Sequence, residues 1–245
     1  MTQIALITGA NKGIGYETAR LLAERGMTVL LGARNPELGR AAAGRLSVEF
    51  LQLDVTDEGS IREAAVHIDQ RYGKLDVLVN NAAIARADGD WSPSATSLAT
   101  IRAVYETNVF GVVAVTNAML PLLRKAPAAR IVNVSSEVGS IARSVDPDSP
   151  ISKFSSLPYP SSKTALNMIT VQYAKELRDT PIKVNAANPG YCATDLNGKS
   201  GFRTAAQGAE VSVHLATLSA DGPTGKLWGN LWTVGDPEAN GVLPW

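Results

Sequence analysis

The chain has almost no cysteine and no excess of charge of either sign. Cys192 is the only cysteine among 245 residues, so an internal disulfide bond is excluded and a reducing compartment fits the composition. Lysine and arginine together number 23, as do aspartate and glutamate, so net charge gives no reason to expect nucleic acid or an anionic membrane as a partner.

Long apolar runs and export signals are also lacking. The sequence contains no run of roughly eighteen apolar residues, so we expect no transmembrane helix. Its first residues lead directly into a strand-like segment, without the basic and apolar regions of a signal peptide. We therefore expect a cytoplasmic protein.

Short apolar runs alternate with amphipathic helical patterns along the whole sequence. Ile4–Ile7 is continuously apolar, as expected for a strand buried on both faces, and helical spacing follows it up to Gly26. This alternation predicts right-handed βαβ units in a single doubly wound Rossmann domain, residues 1–245, with a mostly parallel seven-stranded sheet and helices on both faces. The predicted strands are 4–7, 29–31, 48–53, 75–79, 130–134, 182–187 and 226–234. The predicted helices are 14–26, 36–46, 56–72, 96–107, 108–125, 157–178 and 203–218.

A glycine-rich loop lies between the first strand and the first helix. Its glycines allow the backbone to turn tightly and to approach a pyrophosphate, and the helix N-terminus offers free N–H groups. The spacing is Gly-x-x-x-Gly-x-Gly rather than the commoner Gly-x-Gly-x-x-Gly, and a tight turn without a ligand is the alternative. The loop predicts a dinucleotide site with the candidate cofactor-binding residues Gly9, Asn11, Lys12, Gly13, Ile14 and Gly15.

The end of the second strand indicates which dinucleotide is bound. An NAD site needs an acidic residue here for the ribose 2′-hydroxyl, and the sequence has Gly32, Ala33 and Arg34 instead. Arg34 suits a charge-assisted contact with a 2′-phosphate, which Lys12 is also placed to reach. Two solvated surface cations are the alternative. We expect NADP(H) as the cofactor and no metal.

Tyr159 and Lys163 are four residues apart in a predicted helix and therefore share one face. A tyrosine has an unperturbed pKa of about 10, and a cation about 4 Å away is worth up to ~4 kcal/mol at a protein surface. Half of that interaction lowers the pKa by more than about one unit. The pair is a candidate acid–base unit, and a buried tyrosine with a snorkelling lysine is the alternative.

Ser136 lies just after the fifth predicted strand, where a hydroxyl faces the cleft in which α/β proteins bind ligands. A serine of a simple turn is the alternative. Residues 137–158 then form a long loop, rich in serine and proline, before Tyr159. Loops of this length are usually functional or disordered, and we interpret 137–158 as an inserted loop at the active-site mouth.

Seven motifs, in order, resemble the short-chain dehydrogenase/reductase family, and closely its carbonyl-reductase-like members. They are Thr8–Gly15, Asp54 in Leu-Asp-Val, Asn80–Ala83, Asn108 in Thr-Asn-Val-Phe-Gly, Val132–Ser136, Tyr159–Lys163 and Asn188–Asp195. The resemblance covers almost the whole chain and implies a catalytic tetrad of Asn108, Ser136, Tyr159 and Lys163. Tyr159 would be the acid–base, and Ser136 would orient the substrate carbonyl. Lys163 would bind the nicotinamide ribose and lower the pKa of the tyrosine, and Asn108 would hold a water in a proton relay.

The same resemblance implies further cofactor contacts. Asp54 and Val55 would flank the adenine, while Asn80 and Ala82 would lie along the cofactor. A loop containing Pro189, Gly190 and Thr194 would close on the carboxamide. Three features depart from the family: Ala83 stands where glycine is usual, Ser136 and Tyr159 are 23 residues apart, further than in many members, and the region after Asp195 is short and glycine-rich.

These observations predict an enzyme that reduces a ketone or aldehyde with NADPH. An NADP-dependent alcohol or hydroxysteroid dehydrogenase working oxidatively is one alternative, and a non-catalytic cofactor-sensing protein is another. Helix 108–125 is apolar nearly all round, so a homo-oligomer is possible, unless the 137–158 loop covers that face. Four aromatic residues suggest an apolar pocket: Trp91, Phe154, Tyr191 and Phe202.

Overall fold

An eight-stranded sheet organises the protein, which a computed structural model describes over residues 2–86, 91–232 and 238–245. The strands are β1 (Ile4–Ile7), β2 (Thr28–Ala33), β3 (Glu49–Gln52), β4 (Val77–Asn80), β5 (Arg130–Val134), β6 (Lys183–Asn188), β7 (Leu227–Asn230) and β8 (Asn240–Leu243). Their order is β3-β2-β1-β4-β5-β6-β7-β8, and all neighbours are parallel except β7 and β8. The order reverses between β1 and β4, which confirms a doubly wound sheet.

The predicted count of seven strands is wrong by one. The missed strand, β8, pairs antiparallel with β7 at the edge of the sheet, and of its four residues only Leu243 is buried. It therefore lacks the continuous apolar run that marks the central strands. The strand predicted over 226–234 is shorter, Leu227–Asn230, and residues 233–234 lie outside the described ranges.

Helices cover both faces of the sheet. They are α1 (Gly13–Glu24), α2 (Pro36–Leu46), α3 (Glu58–Tyr72), α4 (Leu98–Tyr105), α5 (Gly111–Leu123), α6 (Ile141–Val145), α7 (Pro158–Glu176) and α8 (Ala205–Ala216). Residues of α3, α5 and α7 share one buried apolar cluster, and residues of α1, α2 and α8 share another. Leu6 belongs to the first cluster and Ile7 to the second, so successive residues of β1 face opposite layers. Both faces of the strand are buried, which explains its unbroken apolar sequence.

Local sequence fixes where several helices begin. The side chain of Asn35 accepts a hydrogen bond from the N–H of Leu38 and caps α2. Thr204 and Gln207 form a reciprocal capping box at the start of α8. Such caps satisfy backbone N–H groups that have no partner inside the helix. Arg34, the candidate contact of a 2′-phosphate, is the residue directly before the cap of α2.

The two helices predicted over 96–107 and 108–125 are joined by a π-helical turn, Glu106–Phe110. Such turns are rare and occur frequently at functional sites, and this one carries Asn108. The continuous helix Leu98–Leu123 is long and apolar enough to cross a membrane by those two measures, which core helices of soluble proteins also satisfy. Val115, Met119 and Leu123 are fully buried, so this face of the helix belongs to the core.

Residues 137–158 are more structured than a loop. They begin with a 3₁₀ turn, Glu137–Gly139, and the short helix α6. The N–H of Ala142 donates to the carbonyl oxygen of Trp245 at 3.1 Å, and Arg143 donates to the carbonyl oxygen of Leu231 at 3.2 Å. The first part of the segment is thereby tied to the ends of β7 and β8.

Candidate active site

The carboxyl ends of β1, β4, β5 and β6 meet at one edge of the sheet, next to the point where the strand order reverses. Ligands of open α/β sheets bind in the crevice at this point. The segments after these four strands carry the glycine loop, Ala82, Ser136 and Pro189, in that order. Motifs that are far apart in the sequence therefore face one crevice.

The glycine loop forms a cradle, residues 9–15, and two of its glycines pack too closely on their neighbours to allow side chains. Gly9 has a φ of +62°, and a Cβ atom there would lie 2.8 Å from the Cα atom of Ala82. A Cβ atom on Gly15 would lie 2.4 Å from Nδ2 of Asn81 and 2.9 Å from the carbonyl oxygen of Gly9. The cradle presents bare backbone at the N-terminus of α1, which fits the phosphates of a dinucleotide.

Asn81 anchors this cradle, a role that the sequence analysis missed. Its Nδ2 donates to the carbonyl oxygens of Thr8 and Gly9 at 2.8 and 3.1 Å, and its N–H donates to Oγ1 of Thr8 at 3.0 Å. From the motif Asn80–Ala83, the family resemblance implies cofactor contacts only for Asn80 and Ala82, the two neighbours of Asn81. Its position directly after a buried strand that pairs with β1 is the signal that could have identified it.

The side chain of Asn80 points into the protein core. Its Nδ2 donates to Oδ1 of Asn133 at 2.8 Å and to Oγ1 of Thr116 at 3.0 Å. Asn133 continues the network with a 2.9 Å bond to Oγ1 of Thr170 on α7. The amide nitrogen of Asn80 is therefore used between β4, β5 and α5 and is not free for the cofactor.

Arg34 and Asp54 lie side by side beyond the ends of β2 and β3. Nε of Arg34 is 3.9 Å from Oδ2 of Asp54, and the Arg34 side chain is 78% exposed. The N–H and hydroxyl of Thr56 donate to Asp54 at 3.0 and 2.8 Å. Arg34 is thus accessible to a phosphate, although the carboxylate beside it reduces the local positive charge. Val55 is buried against Gly111 of α5.

Lys12 already has an anionic partner. Its Nζ donates to Oδ2 of Asp195 at 2.8 Å, and the two side chains are 62% and 52% exposed. Lys12 holds the pKa of Asp195 below its usual value. The bond joins the glycine loop to the segment after Thr194, whose Cγ2 faces Gly13. The remaining predicted residues of the loop are half-buried: Asn11, Gly13 and Ile14.

Ser136, Tyr159 and Lys163 meet between β5 and α7. The Tyr159 and Ser136 side chains are hydrogen-bonded to each other. Nζ of Lys163 lies 5.4 Å from the centre of the Tyr159 ring and donates to the carbonyl oxygen of Val134 at 2.8 Å. Lys163 is only 2% exposed, although its charged end would be expected in water. The three side chains are therefore held in one place by the end of β5.

Burial dominates the acid–base properties of this group. Desolvation raises the pKa of Tyr159 to about 12, against a smaller lowering by the bond with Ser136. Desolvation lowers the pKa of Lys163 to about 7. The family resemblance implies that Lys163 lowers the pKa of the tyrosine. In this structure burial raises the Tyr159 pKa, and the lowering comes from Ser136.

Asn108 is fully buried and bonded to the protein on all sides. Its Oδ1 accepts from the N–H of Ile84 at 2.9 Å, and its Nδ2 donates to the carbonyl oxygen of Ile84 at 3.0 Å and to Oγ of Ser162 at 3.1 Å. Ser162 in turn donates to the carbonyl oxygen of Tyr159 at 2.7 Å. Asn108 therefore connects the π turn to the first turn of α7.

The segment after β6 packs tightly on α8 and on a buried arginine. A Cβ atom on Gly208 would lie 2.4 Å from Sγ of Cys192, and one on Gly190 would lie 2.8 Å from Cδ of Arg203. Cys192 and Arg203 form an isolated β-bridge, and both are buried. α8 and Arg203 therefore support the segment from Pro189 to Cys192 on the side away from the crevice.

Three aromatic rings cluster beside Gly190. Tyr191 stacks on Trp232 with ring centres 6.3 Å apart, and Phe202 lies 5.3 Å from Trp232 and 6.2 Å from Tyr191. Tyr191 and Phe202, which the sequence analysis named, are 40% and 46% exposed. The cluster offers an apolar surface at the mouth of the crevice.

The chain is similar to known proteins over nearly all of its length. A family model described as short chain dehydrogenase matches residues 3–204. Short-chain dehydrogenase anuI of Penicillium roqueforti is 41% identical over 239 residues, which are 93% of this chain and 92% of that protein. NADPH carbonyl reductase 1 of Bos taurus is 33% identical, covering 91% of this chain and 95% of its own. The solved structure of NADPH-bound carbonyl reductase from chicken fatty liver has a TM-score of 0.80 at 30% identity, covering 92% of this chain and 95% of that one.

The substitution Gly15→Ala tests the glycine cradle. The added methyl group would displace the Asn81 amide and press on the carbonyl oxygen of Gly9, so the loop must move. We expect the dissociation constant of NADPH, measured by fluorescence titration, to rise at least about tenfold. Gly44→Ala on α2 is the matched control, since a Cβ atom there meets nothing within 4 Å. Unchanged NADPH affinity in Gly15→Ala would contradict the cradle.

The buried Lys163 should make stability depend on pH. Its pKa is about 7 in the folded protein and 10.5 as a free side chain, so between these values the unfolded chain binds a proton that the folded chain does not. Raising the pH from 7 toward 10.5 therefore stabilises the fold through this group. We expect the Tm of the wild type to rise relative to Lys163→Met over this range. The difference between the wild type and Lys175→Met, an exposed lysine of the same helix, should stay flat. Equal behaviour of the two variants would show that Lys163 stays protonated.

Proposed function

The chain belongs to the short-chain dehydrogenase family, and from that premise we propose that it reduces a ketone or an aldehyde to an alcohol with NADPH. The observation that carries the proposal is the meeting of Ser136, Tyr159 and Lys163 at the same crevice as the glycine cradle. Similar proteins from cattle and chicken are named as carbonyl reductases with NADPH, which supports the same activity here.

Tyr159 is the proton donor in this proposal. The bound NADPH supplies the hydride. With a pKa of about 12 the Tyr159 hydroxyl keeps its proton at neutral pH, the state that a general acid needs when a carbonyl is reduced. Oxidation of an alcohol would require the tyrosinate, which is scarce at pH 7. The protonated hydroxyl fits the proposed reduction, while the ratio of NADPH to NADP⁺ sets the direction, because a catalyst accelerates both directions.

Ser136 and Lys163 complete the group. The Ser136 hydroxyl bonds to Tyr159 and is placed to hold the substrate carbonyl oxygen at the same point. The side-chain nitrogen of Lys163 uses one N–H for Val134, so its others remain for the ribose hydroxyls of the cofactor. Asn108, through Ser162, fixes the helical turn that carries Tyr159. The role of the Asn108 side chain is to hold this turn. A water bound at the backbone of Asn108 is compatible with that role.

The residues around the crevice fit a dinucleotide with a 2′-phosphate. The cradle from Gly9 to Gly15 suits the pyrophosphate, and Pro189, Gly190 and Thr194 lie across from it. Arg34 directly precedes the N-cap of α2, so a phosphate beside it would meet both a guanidinium and a helix N-terminus. Lys12 would have to leave Asp195 to take part, so Arg34 carries most of the preference for NADPH.

The aromatic cluster favours an apolar substrate. Tyr191 directly follows Gly190, and its ring packs with those of Phe202 and Trp232 into one partly exposed apolar surface. Carbonyl compounds with rings or long apolar chains gain contact there, while small polar carbonyls gain little.

An assay of NADPH consumption against a panel of activated ketones and aldehydes tests the proposed function. We expect turnover that saturates with both the carbonyl compound and NADPH. A protein that binds NADPH but consumes none with any carbonyl would support the cofactor-sensing alternative. Turnover only with alcohols and NADP⁺ would support the oxidative one.

Tyr159→Phe should lower kcat about 10²- to 10⁴-fold, the usual contribution of a positioned acid. NADPH binding should persist, because the ring remains and only the hydroxyl is lost. Tyr173→Phe is the matched control, since it removes from the same helix a hydroxyl that bonds to Asn117 at the surface. A Tyr159→Phe enzyme with more than about a tenth of the wild-type kcat on an unactivated ketone would remove Tyr159 from the acid–base role.

Arg34→Gln should reduce the preference for NADPH over NADH. We expect a wild-type ratio of kcat/KM on the order of 10², and a fall of about tenfold or more in the variant, because one charge-assisted bond to the 2′-phosphate is lost. Glutamine is chosen because an acidic residue at position 34 would place a second carboxylate beside Asp54. Arg25→Gln, at the far end of α1, is the control and should leave the ratio unchanged. Equal use of both cofactors by the wild type would overturn the assignment of Arg34.

A further inference from the structure

A buried asparagine stands where the three parallel strands on one side of the crevice end. Asn188 is the last residue of β6, is 1% exposed and directly precedes Pro189. Its Oδ1 accepts from the N–H of Glu137 at 3.0 Å and, less closely, from the N–H of Gly190 at 3.4 Å. Its Nδ2 donates to the carbonyl oxygen of Asn230 at 2.7 Å. One amide group thus bonds to the segments that follow β5 and β6 and to the end of β7.

The bond to Glu137 takes over where the backbone ladder stops. The N–H of Ser135 still donates to the carbonyl oxygen of Ala187 at 2.8 Å, in the ladder between β5 and β6. Ser136 then turns away into the 3₁₀ turn, and the next N–H, that of Glu137, is received by the Asn188 side chain. The orientation of Ser136 is therefore fixed on one side by the ladder and on the other side by Asn188.

The chemistry of the position calls for an amide. Two N–H groups require an acceptor, and a carbonyl oxygen requires a donor, all within one short side chain. Among the side chains of this length, asparagine offers both in a planar group, whereas aspartate lacks the donor and leucine lacks both. Buried groups left without a partner are costly, so the site is sensitive to each loss.

We propose that Asn188 is a positioning residue that fixes Ser136 relative to the Pro189–Gly190 segment. The inference rests on the proposed function, because Ser136 orients the substrate carbonyl and Pro189–Gly190 faces the cofactor. Asn188 touches neither molecule in this proposal. It holds the two segments in register, and misplacing a reacting group by about 1 Å costs up to about 10²-fold in rate.

Asn185 supplies a matched control on the same strand. It is also 1% exposed, its Oδ1 accepts from the N–H of Lys226 at 3.0 Å, and its Nδ2 donates to the carbonyl oxygen of Pro223 at 2.8 Å. Its partners precede β7. Asn185 therefore links β6 to the segment before β7, on the side of the sheet that lies away from the crevice. Loss of either amide should destabilise the fold by a comparable amount.

The test compares Asn188→Leu with Asn185→Leu, at a temperature well below the Tm of both. We expect both variants to lower Tm, and only Asn188→Leu to lower kcat, by about tenfold to a hundredfold, with less than about threefold change in KM for the carbonyl. Equal kcat losses in the two variants, or none in Asn188→Leu, would overturn the positioning role.

Asn188→Asp adds a second measurement that a purely structural role would not explain. Aspartate keeps the acceptor for Glu137 and Gly190, and it replaces the donor to Asn230 by an oxygen that must be protonated to keep that bond. We expect it to recover most of the kcat that leucine loses, and an aspartate variant as slow as the leucine variant would overturn the role of the acceptor. Failure of the proposed function is distinguishable, because the wild type itself would then show no NADPH-dependent turnover.

Discussion

The bond from Lys163 to the carbonyl oxygen of Val134 is the constraint on which the site depends. It fastens α7 to Val134, the last residue of β5. From there the chain continues through Ser135 to Ser136. Tyr159 lies one helical turn before Lys163, so the same bond brings its ring to the serine. The bond also holds the lysine nitrogen in the protein interior, and this burial is what lowers its pKa. The same bond therefore accounts for both the position of Lys163 and its lowered pKa.

Polar side chains form a second layer of support beneath the crevice. Asn80, Asn133 and Thr170 link β4, β5 and α7 through buried hydrogen bonds, on the sheet face that elsewhere carries leucine and isoleucine. Such a network is stable only when every member has a partner, so it permits few alternative arrangements of the strand ends. The crevice is lined by loops, yet its floor is as rigid as the sheet. This is the condition under which a proton donor and an orienting hydroxyl keep a fixed separation.

The sequence predicts the sheet well and identifies the candidate group of Tyr159 and Lys163, because both depend on local patterns. The apolar run Ile4–Ile7 and the four-residue spacing of Tyr159 and Lys163 are visible without a structure. The edge strand β8 was missed because it is mostly exposed, and the bonds of Asn81 were missed because its partners come from a distant loop. The pairs Arg34–Asp54 and Lys12–Asp195 join residues that are remote in the chain, so only the fold brings them together. The raised pKa of Tyr159 follows from burial, which spacing does not measure.

The packing of Cys192 against α8 has a consequence for handling the enzyme. The thiol is 4% exposed, and burial raises its pKa to about 11. At pH 7 only about one molecule in ten thousand then carries the thiolate, the form that attacks electrophiles. Alkylating reagents and peroxide should therefore react slowly with the folded chain, and since this is the one cysteine, covalent dimers joined through sulfur require prior unfolding. Loss of activity during oxidation would have to be sought in methionine or tryptophan instead.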